Sequence, residues 1–106
     1  MLQQRTFCPY NTMMKIEYDS KKQQAALDQR GLDFEDAPAV FNGPRRITWE
    51  DTRKEYGERR YITMGELAGR LVVIVHTERS GGIRIISMRK ANEREQRWFE
   101  EQFAED

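Results

Sequence analysis

The apolar residues of this chain follow two spacings. Through the middle they alternate or run together in short blocks bounded by glycine, and toward the ends they recur at helical intervals. Met14, Ile16 and Tyr18 alternate and predict a short strand over 14–18. Asp19 or Ser20 caps a helix from Lys21 to Arg30, and Gly31 ends it. That helix has only Ala25, Ala26 and Leu27 to bury, which suits a surface position. Leu32, Phe34, Ala37, Val40 and Phe41 share one face of a second, short helix over 32–40. Asp33 caps it and Pro38 lies in its first turns. Asn42-Gly43-Pro44 closes that helix. Ile47 to Glu50 reads as an edge strand, and the charged stretch 51–58 as a loop.

Three strands follow. Residues 60–67 alternate Tyr61, Thr63, Gly65 and Leu67 against Arg60, Ile62, Met64 and Glu66. Leu71 to Glu78 is the most apolar segment and takes the central place. Ile83 to Met88 is the last strand. Ala68-Gly69-Arg70 and Gly81-Gly82 form the hairpin turns between them. Asn92, with Glu95 three residues on, caps a final helix over 91–103. The predicted fold class is α+β: an N-terminal strand and two helices, then a four-stranded antiparallel meander and a C-terminal helix, with the helices on one side of a curved sheet. Residues 1–13 lack periodicity and read as a flexible extension to a single domain over 14–106.

Composition narrows the function. At 106 residues there is room for one core. The longest apolar run, Leu71 to Val75, is far short of the ~20 residues a membrane helix needs. With no leader-like opening either, a cytoplasmic protein with no membrane partner is expected. A lone cysteine, Cys8, and a lone histidine, His76, exclude a disulfide framework, a cysteine zinc site and a two-histidine mechanism. No metal or cofactor is expected. The net charge of zero hides a basic block: residues 59–97 carry nine basic and four acidic side chains. Eight of the nine cations are arginines, whose forks match phosphate. A salt-bridged surface and a polyanion-binding face both fit that count.

Two long stretches then become recognisable: IEYDSKKQQAALDQRGLDFEDAPAVFNGP, and ERRYITMGELAGRLVVIVHTERSGGIRIISMRKANERE. Together they resemble the BrnT family of type II toxin–antitoxin toxins. The most specific parts are Gly31–Phe34 with Ala39-Val40-Phe41, Gly65 with Gly69-Arg70, and Ile85 to Ala91 before Glu93. The resemblance implies a RelE-like fold and a small ribonuclease that inhibits translation. It also implies a cognate BrnA-like antitoxin that holds the toxin inactive and binds the operon's DNA, so that DNA is contacted only indirectly. Where the family has an Asn and a Lys-His pair at the end of the first helix, this chain has Ala26, Gln29 and Arg30.

RNA cleavage by transfer to the 2′-oxygen needs an activated 2′-hydroxyl, cations around the phosphorane-like transition state and a protonated leaving oxygen. The candidate catalytic residues are Arg60, Arg79, Arg84, Ser87 and Arg89, with Arg30, Lys21 and His76 as candidate substrate-binding residues. Arg89 leads because it closes a strand inside the most family-like motif. Its alternative is an ion pair with Glu93, as Arg60 has Glu78 or Glu66. Arg79 and Arg84 flank the second hairpin turn. His76 has apolar neighbours that suit a core histidine equally well, and Glu58 is either a base or an exposed loop acid. Trp98, Phe99 and Phe103 read as core anchors or as an antitoxin-docking face. Simple alternation puts Arg84, Ile86 and Met88 on one face of the last strand, and Ile83, Ile85, Ser87 and Arg89 on the other. The leading expectation is a metal-independent RNA endonuclease toxin. The alternative is a silent family member that binds its antitoxin and acts as a corepressor.

Overall fold

The computed structural model describes residues 15–104. The expected extension at 1–13, and Met14 of the first strand, lie outside the described residues. Five strands and three helices follow in the order β1 (Lys15–Tyr18), α1 (Ser20–Arg30), a 3-10 turn (Phe34–Asp36), α2 (Ala37–Phe41), β2 (Arg46–Glu50), β3 (Tyr61–Leu67), β4 (Arg70–Arg79), β5 (Gly82–Lys90) and α3 (Glu93–Gln102). They build one mixed sheet in the order β1-β5-β4-β3-β2. The expected meander is its antiparallel part. β1 adds to the far side of β5 in parallel, pairing Ile16 with Ile83 and Tyr18 with Ile85. Among the described residues no helix is long and apolar enough to cross a membrane.

The helices do not lie on one side of the sheet. Val72 and Ile74 of β4 bury with Ile83, Ile85 and Met88 under Ala26, Phe34, Val40 and Phe41 from α1, the 3-10 turn and α2. Val73 of β4 points the other way and packs with Ile62, Met64, Ala91 and Phe99, beneath α3. The cause is visible in β4. Its apolar run has no polar alternation, so both faces need a cover. Burying Phe99 alone, a side chain with 0% exposure, contributes ~2 kcal/mol or more to holding α3 there.

The second helix also departs from expectation. Asp33 caps as predicted, accepting from the Glu35 amide. The first turn is 3-10, however, and an α-helix restarts at Ala37, whose amide donates to Phe34. Pro38 has no N–H to offer the Phe34 carbonyl, so one continuous helix would leave that acceptor unpaired. Gly65 lets α2 lie close on β3: a Cβ there would stand 2.9 Å from Val40 Cγ1. The hairpin turns are Ala68-Gly69, both residues at positive φ, and Ser80-Gly81.

β5 contains a bulge. Val75 pairs with Ser87 and His76 with Ile85, so Ile86 has no partner in the ladder. That one extra residue shifts the alternation. Ile83, Ile85 and Met88 face the α1–α2 layer together, while Arg84, Ser87 and Arg89 all face the α3 side. The split drawn from simple alternation is corrected accordingly.

Candidate functional site

α3 covers only part of its face of the sheet. Beyond it, Glu17 of β1, Arg84 of β5 and Thr77 of β4 stand side by side in one row across the strands. Arg60 and Arg79 join them from the start of β3 and the end of β4. Glu58 ties these two together, its Oε2 accepting from Arg60 Nε at 3.1 Å and its Oε1 from Arg79 Nη1 at 3.4 Å. Glu17 repeats the arrangement, with Oε1 at 3.1 Å from Arg84 Nη1 and 3.8 Å from Arg79 Nε. The result is a chain of alternating charge, Arg60–Glu58–Arg79–Glu17–Arg84. The hydrogen bond from Arg60, helped by Arg79, holds the Glu58 carboxyl below the ordinary glutamate range, so it is ionised at neutral pH.

Arg89 lies further along the same face. It forms a two-pronged pair with Glu95 of α3, at 2.9 and 2.8 Å. Glu95 also accepts from the Asn92 amide as the second half of the capping box, so the helix start positions Arg89. The hydrogen-bonded pair with Glu95 raises the pKa of the Arg89 guanidinium, and the same pair lowers that of the Glu95 carboxyl. Arg53 is near enough for its charge to oppose that of Arg89. Ser87 lies between Arg84 and Arg89, half-buried and paired with Val75.

The loop 51–59 closes one flank. Asp51, 5% exposed, accepts from Arg53 Nε and Nη2, both at 2.8 Å, and from the Tyr56 hydroxyl at 2.9 Å. The hydrogen bonds from Arg53 hold its carboxyl far below the usual range. The Thr77 hydroxyl pins the loop's end by donating to the Arg59 carbonyl at 2.6 Å. The Arg60 guanidinium lies 4.4 Å from the centre of the Tyr56 ring, a cation–π contact that fixes its plane.

All five candidate catalytic residues thus share one face, whereas the three candidate substrate-binding residues do not join them. Lys21 and Arg30 ride on α1, across the sheet, and Arg30 Nη1 donates to the Met88 carbonyl at 3.4 Å. His76 is 3% exposed and faces α2, edge-on to Phe41 and stacked on Tyr61. Burial pushes its pKa down to about 4, so it is neutral and out of reach of solvent. The ion-pair partners differ from those anticipated: Glu95 rather than Glu93 for Arg89, and Glu58 rather than Glu66 or Glu78 for Arg60.

Sequence reading missed Glu17, Asp51, Arg53 and Tyr56. Glu17 had a signal, since it alternates with Ile16 and Tyr18, but nothing local shows that its strand lies beside β5. The loop residues have no periodicity to betray them. Among the described residues, no group of three or more His, Cys, Asp or Glu is placed to hold a metal ion.

Fold and site together define a small α+β protein with an arginine-rich sheet face. A family model for the ribonuclease toxin BrnT of type II toxin–antitoxin systems matches residues 18–95, and the chain belongs to that family. Membership makes an antitoxin its expected protein partner. The match takes in Arg53 through Glu95 and stops short of Glu17 and Trp98. No curated protein matches the chain.

Proposed function

We propose that this chain is the toxin of its pair, a RelE-like RNA endonuclease that works in the cytoplasm without a metal ion and stops translation until a BrnA-like antitoxin covers it. The observation that carries this reading is the gathering of Arg60, Arg79, Arg84 and Arg89 on one open face, with side chains 28–44% exposed. A guanidinium has five N–H donors, and the ion pair engages one on Arg60 and one on Arg84. The other N–H donors of these two side chains make no hydrogen bond among the described residues, which suits them to a phosphate.

In this mechanism the arginines hold the scissile phosphate and stabilise the charge that builds on its oxygens as the 2′-oxygen attacks. Ser87 hydrogen-bonds the same group from the sheet floor. Glu58 is too acidic for a strong base, so it orients the 2′-hydroxyl by accepting its hydrogen bond, and solvent takes the proton. The departing 5′-oxygen takes its proton from water, because arginine stays charged near neutral pH. Orientation and electrostatics carry the acceleration, and positioning alone is worth on the order of 7–11 kcal/mol in favourable cases.

The test is induction of the wild-type chain and of Arg89→Ala in a bacterial host, followed by primer-extension mapping of cellular RNA. New RNA ends and growth arrest for the wild type alone support the reading. Unchanged toxicity in the variant removes Arg89 from the site. Folded wild-type protein that produces neither arrest nor new ends favours the second reading, an antitoxin-binding corepressor, which the presence of Gln29-Arg30 in place of Lys-His motivates. Cleavage by the purified protein that survives excess EDTA supports metal independence.

A further inference from the structure

Two tryptophans stand exposed beside the arginine face. Trp49, 37% exposed, is on β2 and Trp98, 38% exposed, is on α3; their rings meet edge-to-face with centroids 5.6 Å apart. Phe99 at the next helix position is fully buried and anchors α3, whereas Trp98 is exposed, so of its two readings from the sequence the core anchor is not the one found. The pair belongs to the same side of the sheet as the arginines. Trp49 pairs with Ile62, Ile62 with Val75 and Val75 with Ser87, one row running straight into the cluster. Three strand spacings put Trp49 roughly 14 Å from Ser87, about two nucleotides of extended chain. Arg94 stands one helical turn before Trp98, and the loop carrying Arg53 and Lys54 begins just after Glu50.

We infer that Trp49 and Trp98 form a stacking platform for an unpaired base of single-stranded RNA whose phosphates lie on Arg89 and its neighbours. The argument rests on the ribonuclease reading and adds a subsite to it. Phosphate-binding cations flanked by exposed aromatic rings are the combination that single-stranded nucleic acid needs, since every base offers a π-face. Edge-to-face packing fixes one ring against the other and leaves a ring face for a base. A protein partner would use the apolar surface but has no need of arginines on the same side of the sheet.

The chain has two tryptophans in all, so fluorescence excited at the red edge, beyond the absorption of its four tyrosines, reports on this platform alone. The experiment titrates the full chain with a ten-nucleotide 2′-O-methyl RNA, which lacks the attacking hydroxyl. Anisotropy of a labelled copy gives binding independently. Quenching that saturates with binding, and a loss of about tenfold in affinity for Trp49→Ala and for Trp98→Ala with the fold retained, are expected. Should a variant fail to fold, the quenching of the unaltered chain still decides. Binding without quenching, and with unchanged affinity in the variants, overturns the platform and leaves the arginine reading standing. No binding at all sinks both. If Trp98→Ala weakens the antitoxin complex while RNA binding is unchanged, the surface belongs to the protein partner and the inference is wrong.

Discussion

His76 makes folding stability depend on pH in a window whose upper part no other side chain of this protein ordinarily titrates in. The imidazole is wedged between Phe41 and Tyr61, with Nε2 2.8 Å from the Thr63 hydroxyl and no partner at Nδ1. In the unfolded chain its pKa is ~6.5; in the fold, burial holds it down to about 4. Between those values the unfolded state binds the extra proton, so stability rises with pH. The full contribution is present above pH ~6.5 and is lost as pH falls toward 4. At 1.36 kcal/mol per pKa unit the loss is about 1 kcal/mol at pH 5.5 and about 3 kcal/mol near pH 4, a large share of the 5–15 kcal/mol typical of a domain. Urea unfolding of the wild type and of His76→Gln at several pH values measures it. The difference between the two profiles should slope between pH 6.5 and 4, because the carboxylates contribute equally to both and lose their share mainly below pH ~4.5. Parallel profiles across that range would refute the reasoning. So would an imidazole proton resonance, unambiguous for a lone histidine, that titrates near pH 6.5 in the folded protein.

Other perturbations follow from the geometry. Gly65→Ala should destabilise the fold by ~1–3 kcal/mol, because Val40 is stiff and fully buried and cannot yield to a Cβ at 2.9 Å; thermal unfolding reads it directly. Ala68→Gly should stabilise by up to ~1 kcal/mol, because alanine holds φ at +51° in the hairpin turn. A shift of the melting temperature the other way would show that the turn is not strained. Arg84→Ala should weaken binding of single-stranded RNA of any sequence and flatten its dependence on salt by ~0.7 in the log–log slope. A drop in affinity with an unaltered slope would remove Arg84 from the phosphate contacts.

Much of the fold is legible in the sequence because it is local. Asp33, Asn92 and Gly31 cap where capping chemistry puts them, and the hairpins fall within a residue of their glycines. What stays hidden is non-local. That β1 runs parallel to β5 depends on packing between segments 67 residues apart, and it is this pairing that brings Glu17 to Arg84. The two-sided cover of β4 is foreshadowed by its unbroken apolar run, but which helix takes which face is not. The arginines were legible as candidates from charge and position. Their common face was not, because alternation assumes a regular ladder and Ile86 interrupts it.

That interruption makes the residue count of β5 a property shared by core and site. Were Ile86 to enter the ladder as an ordinary paired residue, everything between the hairpin turn and Ser87 would change sides of the sheet. Arg84 would turn toward the α1–α2 layer, and Ile83 and Ile85 would turn into water. A one-residue deletion flips part of an ordinary strand to the other face, whereas loss of Ile86 itself would close the ladder with Ser87 and Ile85 facing as they do now. Any attempt to graft this face onto another scaffold must carry the bulge with it, since the arginines alone would arrive pointing in opposite directions.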